Sequence, residues 1–181
     1  MPQIHPTLRK VNCCPSCAST RIERRFGKSI MCQDCGFELF FNAAAAAGAI
    51  ISGPDGRIVL MRRAKDPGKG KLGIPGGFID AFENAEDGVR REALEETGLT
   101  LPERIDYLFS CVNSYEYAGV EYASCDVYFH AQMASLDGLA ALDEATAFEL
   151  ILPEDVKPED LAFDSARHAI AAFCKLRKAQ A

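Results

Sequence analysis

Three acidic side chains, Glu92, Glu95 and Glu96, fall within five residues beside Arg91. At 3.6 residues per turn, positions i, i+3 and i+4 share one helical face, so a helix here projects the three carboxylates together. Like charges so placed repel, and acidic pairs at i,i+4 are mildly destabilising by themselves. A hard divalent cation such as Mg2+ or Mn2+ relieves that repulsion and in turn pairs with substrate phosphates. The chemistry implied is a metal-dependent reaction at phosphorus.

A second set of residues implies a different metal. Cys14 and Cys17 form one CxxC pair and Cys32 and Cys35 another, with fourteen residues between them. That is close to the ribbon spacing of a four-thiolate zinc site, in which each pair makes a tight knuckle. Four thiolates leave no open position for water, so this Zn2+ is expected to be structural. A redox CxxC belongs on a thioredoxin-like βαβ pattern, which the sequence lacks, and disulfides do not suit a reducing compartment. Cys13 breaks the CxxC spacing and reads as a bystander, and Cys111, Cys125 and Cys174 read as core residues. Arg21, Arg24, Arg25 and Lys28 between the knuckles leave nucleic-acid contact open, with a solvated hairpin as the commoner explanation.

The elements that must position these groups follow from pattern. Residues 19–31 suit a short hairpin between the knuckles, in a unit too small to fold on its own core without zinc. Residues 43–52 read as a buried strand, 53–56 as a turn and 57–63 as its partner, and 66–71 form a loop. Residues 84–97 read as the helix carrying the acids, with Asn84 as N-cap and Gly98 as C-cap. Two long strands follow over 107–117 and 120–133, a short strand over 145–152, and a helix over 163–178. Pattern alone supports a mixed α and β architecture.

The acidic helix also carries a longer motif. Gly77 is followed after five residues by Glu83, and after seven more by Arg91-Glu92-Ala93-Leu94-Glu95-Glu96-Thr97-Gly98-Leu99. This resembles the Nudix box, GX5EX7REUXEEXGU, at every fixed position. The resemblance implies an α/β fold, the Nudix α/β/α sandwich around a mixed sheet, over 43–181 and preceded by a zinc ribbon over 1–42. It implies hydrolysis of a diphosphate linkage with Mg2+ or Mn2+ on Glu92, Glu95 and Glu96, with Glu83 and Arg91 bracing the box and Gly77 in the loop before the helix. Two carboxylates qualify as general base: Glu92 in the box, and Glu144 ahead of the last strand.

The substrate is less legible. Tyr115, Tyr117 and Tyr122 on the two long strands are candidates to stack on a nucleobase, with Tyr128 beside them, against the alternative that the rings fill a core or an interface. Zinc ribbons beside Nudix domains resemble NADH pyrophosphatases, but the SQPW-type motif of those enzymes is absent where this chain has Phe109-Ser110-Cys111-Val112-Asn113-Ser114. Ribbon, box and a late Leu161-Ala162-Phe163 resemble enzymes of ADP-ribose or FAD hydrolysis more closely. The expected substrate is therefore a nucleoside diphosphate derivative. The alternatives are a nucleoside triphosphate, or a non-catalytic ligand- or RNA-binding role.

Composition is consistent with a compact enzyme. The chain has 181 residues, 48% apolar, with a formal net charge of -6. Residues 1–42 hold six basic side chains against three acidic ones, and the rest fourteen against twenty-three, which supports two units. The overall acidity argues against a nucleic-acid surface covering the whole molecule. No apolar run approaches the roughly 20 residues that span a bilayer, and the first ten residues lack an apolar signal region. A cytoplasmic homodimer acting on a nucleotide-derived small molecule is the expectation.

Overall fold

The computed structural model describes residues 4–141 and 145–180, the side chains of Tyr115, Tyr117 and Gln180 excepted. The chain divides into two compact units, Met1–Ala44 with Ser114–Ser124, and Ala45–Asn113 with Cys125–Ala181.

The first unit is a three-stranded antiparallel sheet, β1 (Ile22–Arg25), β2 (Ser29–Cys32) and β3 (Glu38–Phe40), after a short 3-10 turn at Pro6–Lys10. The expected hairpin is β1 and β2, turning through Phe26 and Gly27 with positive φ of 49° and 72°. The third strand is an addition. Its three residues are too short to show a period, and they are recruited by pairing Ser29 with Phe40 and Met31 with Glu38. Leu8 and Ile30 are its large fully buried side chains. So small a core is consistent with the need for a cross-link or a metal.

The second unit is a sheet with a helix on each face. Its elements are β4 (Ala44–Ser52), β5 (Ile58–Arg63), β6 (Leu72–Gly73), β7 (Gly76–Phe78), α1 (Ala85–Thr97), β8 (Asp106–Tyr117), β9 (Val120–Gln132), β10 (Ala145–Ile151) and α2 (Asp164–Gln180), except that Ala44 and the stretch Ser114–Ser124 of β8 and β9 belong to the first unit. The strand order is β10-β5-β4-β9-β8. The Met133 N–H donates to the Ser52 carbonyl, so β4 and β9 end side by side and run parallel within an otherwise antiparallel arrangement. Period-2 alternation then sorts the side chains. Ala47, Ala49, Ile51, Val59, Phe129 and Ala131 face Val89 and Ala93 of α1. Ile50, Ile58, Leu60 and Tyr128 face Ala166, Ala169, Ile170 and Phe173 of α2. Burial on both faces is what made 43–52 read as one apolar run rather than an alternating one.

One irregularity sets up the site. β4 and β5 pair at Ser52 and Ile58, after which β5 takes β6 (Met61 to Gly73, Arg62 to Leu72) and β4 takes β7 (Ala47 to Gly77, Gly48 to Gly76). The outer edges of β4 and β5 carry β9 and β10, so the segment 72–78 lies between them and delivers Gly76 and Gly77 to the middle of the sheet. Cys125 corrects an expectation: it is exposed, because Ser124 and Asp126 on either side take the inward positions of β9. Among the described residues no helix is long and apolar enough to cross a membrane.

Candidate active site

Helix α1 begins and ends where its caps dictate. The Asn84 side chain accepts the Asp87 N–H at 2.8 Å, and Glu86 and Asp87 occupy the first turn, where acids favour the dipole. Gly98 closes the helix in the left-handed conformation at φ 72°, donating its N–H to Leu94 O at 2.9 Å. Between these caps the helix holds Arg91, Glu92, Glu95 and Glu96 against the segment 76–83.

The glycines of that segment are there for lack of a side chain. A Cβ on Gly76, at φ 148°, would fall 2.2 Å from Ala47 O and 2.5 Å from Gly48 Cα, so no other residue lets the loop lie on β4. A Cβ on Gly77 would fall 2.6 Å from Glu92 Oε1 and 2.8 Å from Oε2. The Glu92 carboxylate thus occupies the space that a side chain at position 77 would fill. Glu96 is 3% exposed and accepts the Gly76 N–H at 2.8 Å. Glu95 projects outward, its side chain 52% exposed.

Arg91 ties the ensemble together. Its Nε and Nη2 fork onto the two oxygens of Glu83 at 3.1 and 3.0 Å, and Nη2 also reaches Phe78 O at 3.0 Å. Its Nη1 donates to Glu92 Oε1 at 2.8 Å and to Glu95 Oε2 at 3.1 Å. Asp80 N–H donates to Glu83 at 3.0 Å. Arg91, and after it the Asp80 amide, hold the Glu83 carboxyl below its ordinary range, while Glu83 and Glu92 raise the Arg91 guanidinium. Gly88 was not singled out from sequence, yet a Cβ there would lie 3.1 Å from Glu83 Oε2. Its signal was a glycine inside a helix, a costly choice unless close approach requires it.

The three acids therefore share a helix but not an environment: Glu96 is turned inward, Glu92 packs under Gly77, and Glu95 faces outward. The three carboxylates do not form a preassembled ligand cluster, yet they are hard oxygen donors on one helical turn beside the glycine loop, and that donor chemistry suits a hard divalent cation. Glu144 and the side chains of Tyr115 and Tyr117 lie outside the described residues. Tyr122 is half-buried in the first unit. Tyr128 is a core residue, 7% exposed, with its hydroxyl on Ser165 Oγ at 3.0 Å and its ring stacked on Phe109 at 5.7 Å.

In the first unit, one ligand atom from each of Cys14, Cys17, Cys32 and Cys35 lies within 4.8 Å of the others, the one such cluster among the described residues. Cys14 and Cys35 sulfurs are 3.7 Å apart, and Cys17 and Cys32 sulfurs 3.6 Å. Tetrahedral Zn2+ with bonds of about 2.3 Å sets sulfurs about 3.8 Å apart, so the donors fit zinc in chemistry and spacing. Backbone amides of Cys35 and, against desolvation, Asp34 lower the Cys32 thiol to about 6. Cys13 is exposed and outside the cluster.

Residues 43–173 match the NUDIX domain family. Over 63 residues the chain is 41% identical to the ADP-ribose pyrophosphatase of Methanocaldococcus jannaschii, covering 35% of this chain and 37% of that protein. The chain thus aligns with little more than a third of that relative's length. Its fold matches a MutT NUDIX hydrolase from Burkholderia pseudomallei with a TM-score of 0.60 and 30% identity, over 72% of this chain and 98% of that one. It also matches the NUDIX domain of Shewanella oneidensis NrtR in complex with ADP ribose, with a TM-score of 0.62 and 25% identity, over 76% and 90% of the two chains.

Proposed function

Because the chain belongs to the NUDIX family over residues 43–173, we propose that it is a pyrophosphohydrolase that splits the diphosphate linkage of an ADP-ribose-like nucleoside diphosphate derivative. The observation that carries the reading is the Glu92 carboxylate lodged against Gly77 while Glu96 holds the Gly76 amide. Helix and loop are thereby locked into one oxygen-rich surface. Similarity to an ADP-ribose pyrophosphatase and to a NUDIX domain that binds ADP ribose supports the substrate class.

Glu92, Glu95 and Glu96 would hold Mg2+ or Mn2+, which when bound supplies charge neutralisation at the diphosphate and lowers the pKa of water. The chain's own residues do the remainder. Glu96, buried, fixes the loop; Arg91 holds Glu92 and Glu95 in position; Glu83 holds Arg91. Water attacks one phosphorus, the bond from that phosphorus to the bridging oxygen breaks, and the bridge leaves on the other phosphate. ADP-ribose and water thus give AMP and ribose 5-phosphate. The proton of the attacking water passes to a carboxylate, for which Glu92 and Glu144 are the candidates. The four cysteines would hold one structural Zn2+ in the first unit.

A product screen tests this reading. ADP-ribose, FAD, NADH, dinucleoside polyphosphates and nucleoside triphosphates are each incubated with protein and Mg2+, and products are identified by chromatography. Fastest turnover is expected for ADP-ribose, with AMP as product. Fastest turnover of a triphosphate, with pyrophosphate released, overturns the substrate class; ADP-ribose bound but never cleaved overturns the enzyme.

A further inference from the structure

The second unit contains a cavity of about 650 Å3 that the NUDIX box does not use. It opens where β4 and β9 end and α2 makes its last turns, lined among others by Ser52, Arg104, Tyr107, His130, Phe173 and Arg177. Gly77 pairs with Ala47 near the start of β4 and Ser52 is its last residue. Ser52 lies five residue steps along the strand from Ala47, about 16 Å at roughly 3.3 Å per residue. The cavity is a second place on the sheet, and its size falls within the range of about 300–1,000 Å3 of small-molecule sites.

Its walls select for two chemical features. The first is a flat ring. His130 and Phe173 lie with centroids 4.5 Å apart, and Tyr107 and Leu176, 61% and 43% exposed, leave apolar surface uncovered at the rim. The second is an anion. Two guanidiniums, Arg104 and Arg177, line the cavity against one carboxylate, Asp106, in a chain whose net charge is -6. Arg104 pairs with Asp106 at 3.0 Å, but both side chains are largely exposed, and such pairs contribute little. Arg177 holds Gly56 O at 3.4 Å and Glu154 at 3.3 Å, long contacts that a phosphate can replace. A polar edge adds direction. Ser52 Oγ donates to Gln132 Oε1 at 2.9 Å, so the 2.7 Å contact with His130 has Nε2–H as donor. Burial lowers the His130 pKa, which favours the neutral ring and leaves Nδ1 as an acceptor for a ligand N–H.

We propose that this cavity is a second nucleotide-binding site, taking a heteroaromatic ring that carries a phosphate, such as a nucleoside monophosphate. The inference does not depend on the reaction proposed for the box.

Calorimetric titration of AMP into the whole protein without added divalent cation tests it. One AMP per chain is expected, with ribose 5-phosphate and adenosine each at least tenfold weaker because each lacks one of the two features. Arg104→Glu, at a largely exposed position, and Arg177→Lys, which keeps the charge and loses the fork, should each weaken AMP at least tenfold while kcat at the box is unchanged. Melting curves of both variants confirm that they fold. The proposal is overturned by no AMP binding at millimolar concentration, by ribose 5-phosphate binding as well as AMP, or by affinity that survives both substitutions. It is also overturned by affinity lost instead in Glu92→Gln, which would place AMP at the box. Loss of hydrolysis with AMP binding intact would contradict the proposed reaction and leave the second site standing.

Discussion

The two metal-type centres are assembled in opposite ways. In the first unit the four cysteine sulfurs lie at near-ligand spacing, 3.6 and 3.7 Å across two pairs. In the second, three glutamates on one turn of α1 are held apart by their separate partners, Gly76, Gly77 and Arg91. The difference lies in the side chains. A cysteine has one torsion between backbone and sulfur, so a CxxC knuckle fixes its ligands almost as soon as the backbone turns. A glutamate has three, and its position is set by what its oxygens touch. A thiolate site is thus specified by local sequence, whereas the carboxylate site requires β4, the glycine loop and α1 to meet.

The largest effect is therefore expected in the first unit. Cys32→Ser removes one of four zinc ligands from a unit with little apolar core, and zinc sites of this kind supply folding free energy outright. About one zinc per chain by metal analysis, lost in the variant together with protease resistance of residues 4–44, is the expected outcome. Equal protease resistance with and without zinc would break the contrast between the two centres.

The carboxylate centre should respond in a graded way. Gly77→Ala puts a methyl group where the Glu92 carboxylate lies, 2.6 Å from its nearest oxygen. Displacing a positioned ligand costs about ten- to a hundredfold in metal affinity or activity. The Mg2+ concentration for half-maximal rate should rise by about that factor with the melting temperature little changed; an unaltered Mg2+ response would show that Glu92 is not needed against the loop.

The smallest effect concerns the brace. Arg91 depresses the Glu83 carboxyl, so its contribution to stability is complete above the unfolded value of about 4.3 and is lost as pH falls through the lower folded value. Glu83→Gln should lower the melting temperature at pH 7, and the gap to the unsubstituted protein should close as pH falls below the unfolded value of about 4.3 and through the lower folded one. A gap independent of pH would mean that Glu83 acts through packing rather than charge.

How much of this was legible in the sequence varies with the range of the interaction. The α1 caps, Asn84 and Gly98, and the knuckles at 14–17 and 32–35 are set by neighbours a few residues away, and pattern located them. β3, with three residues and no period, exists through pairing with β2 and gave no local signal. The insertion of 72–78 between β4 and β5 was equally hidden, because Gly76 and Gly77 are read as a loop until β4 is placed beneath them. Arg91 was expected to brace Glu83; its simultaneous hold on Glu92 and Glu95 depends on side-chain directions that spacing does not fix. Tyr128 was one of four tyrosines of similar pattern, and its burial, with the hydroxyl on Ser165 of α2 and the ring stacked on Phe109, marks it as a core residue.

The proposed reaction places diphosphate hydrolysis with a divalent cation at the carboxylates of α1 beside the glycine loop. The initial rate of ADP-ribose cleavage is measured as Mg2+ is added, for the unsubstituted protein and for Glu95→Gln, a position whose side chain is 52% exposed, with melting curves of both. The predicted result is a rate that rises and saturates with Mg2+, and a kcat at least about a hundredfold lower in the variant, a loss of roughly 2.7 kcal/mol of transition-state stabilisation. Equal rates in the two proteins, or a rate indifferent to Mg2+, would contradict it.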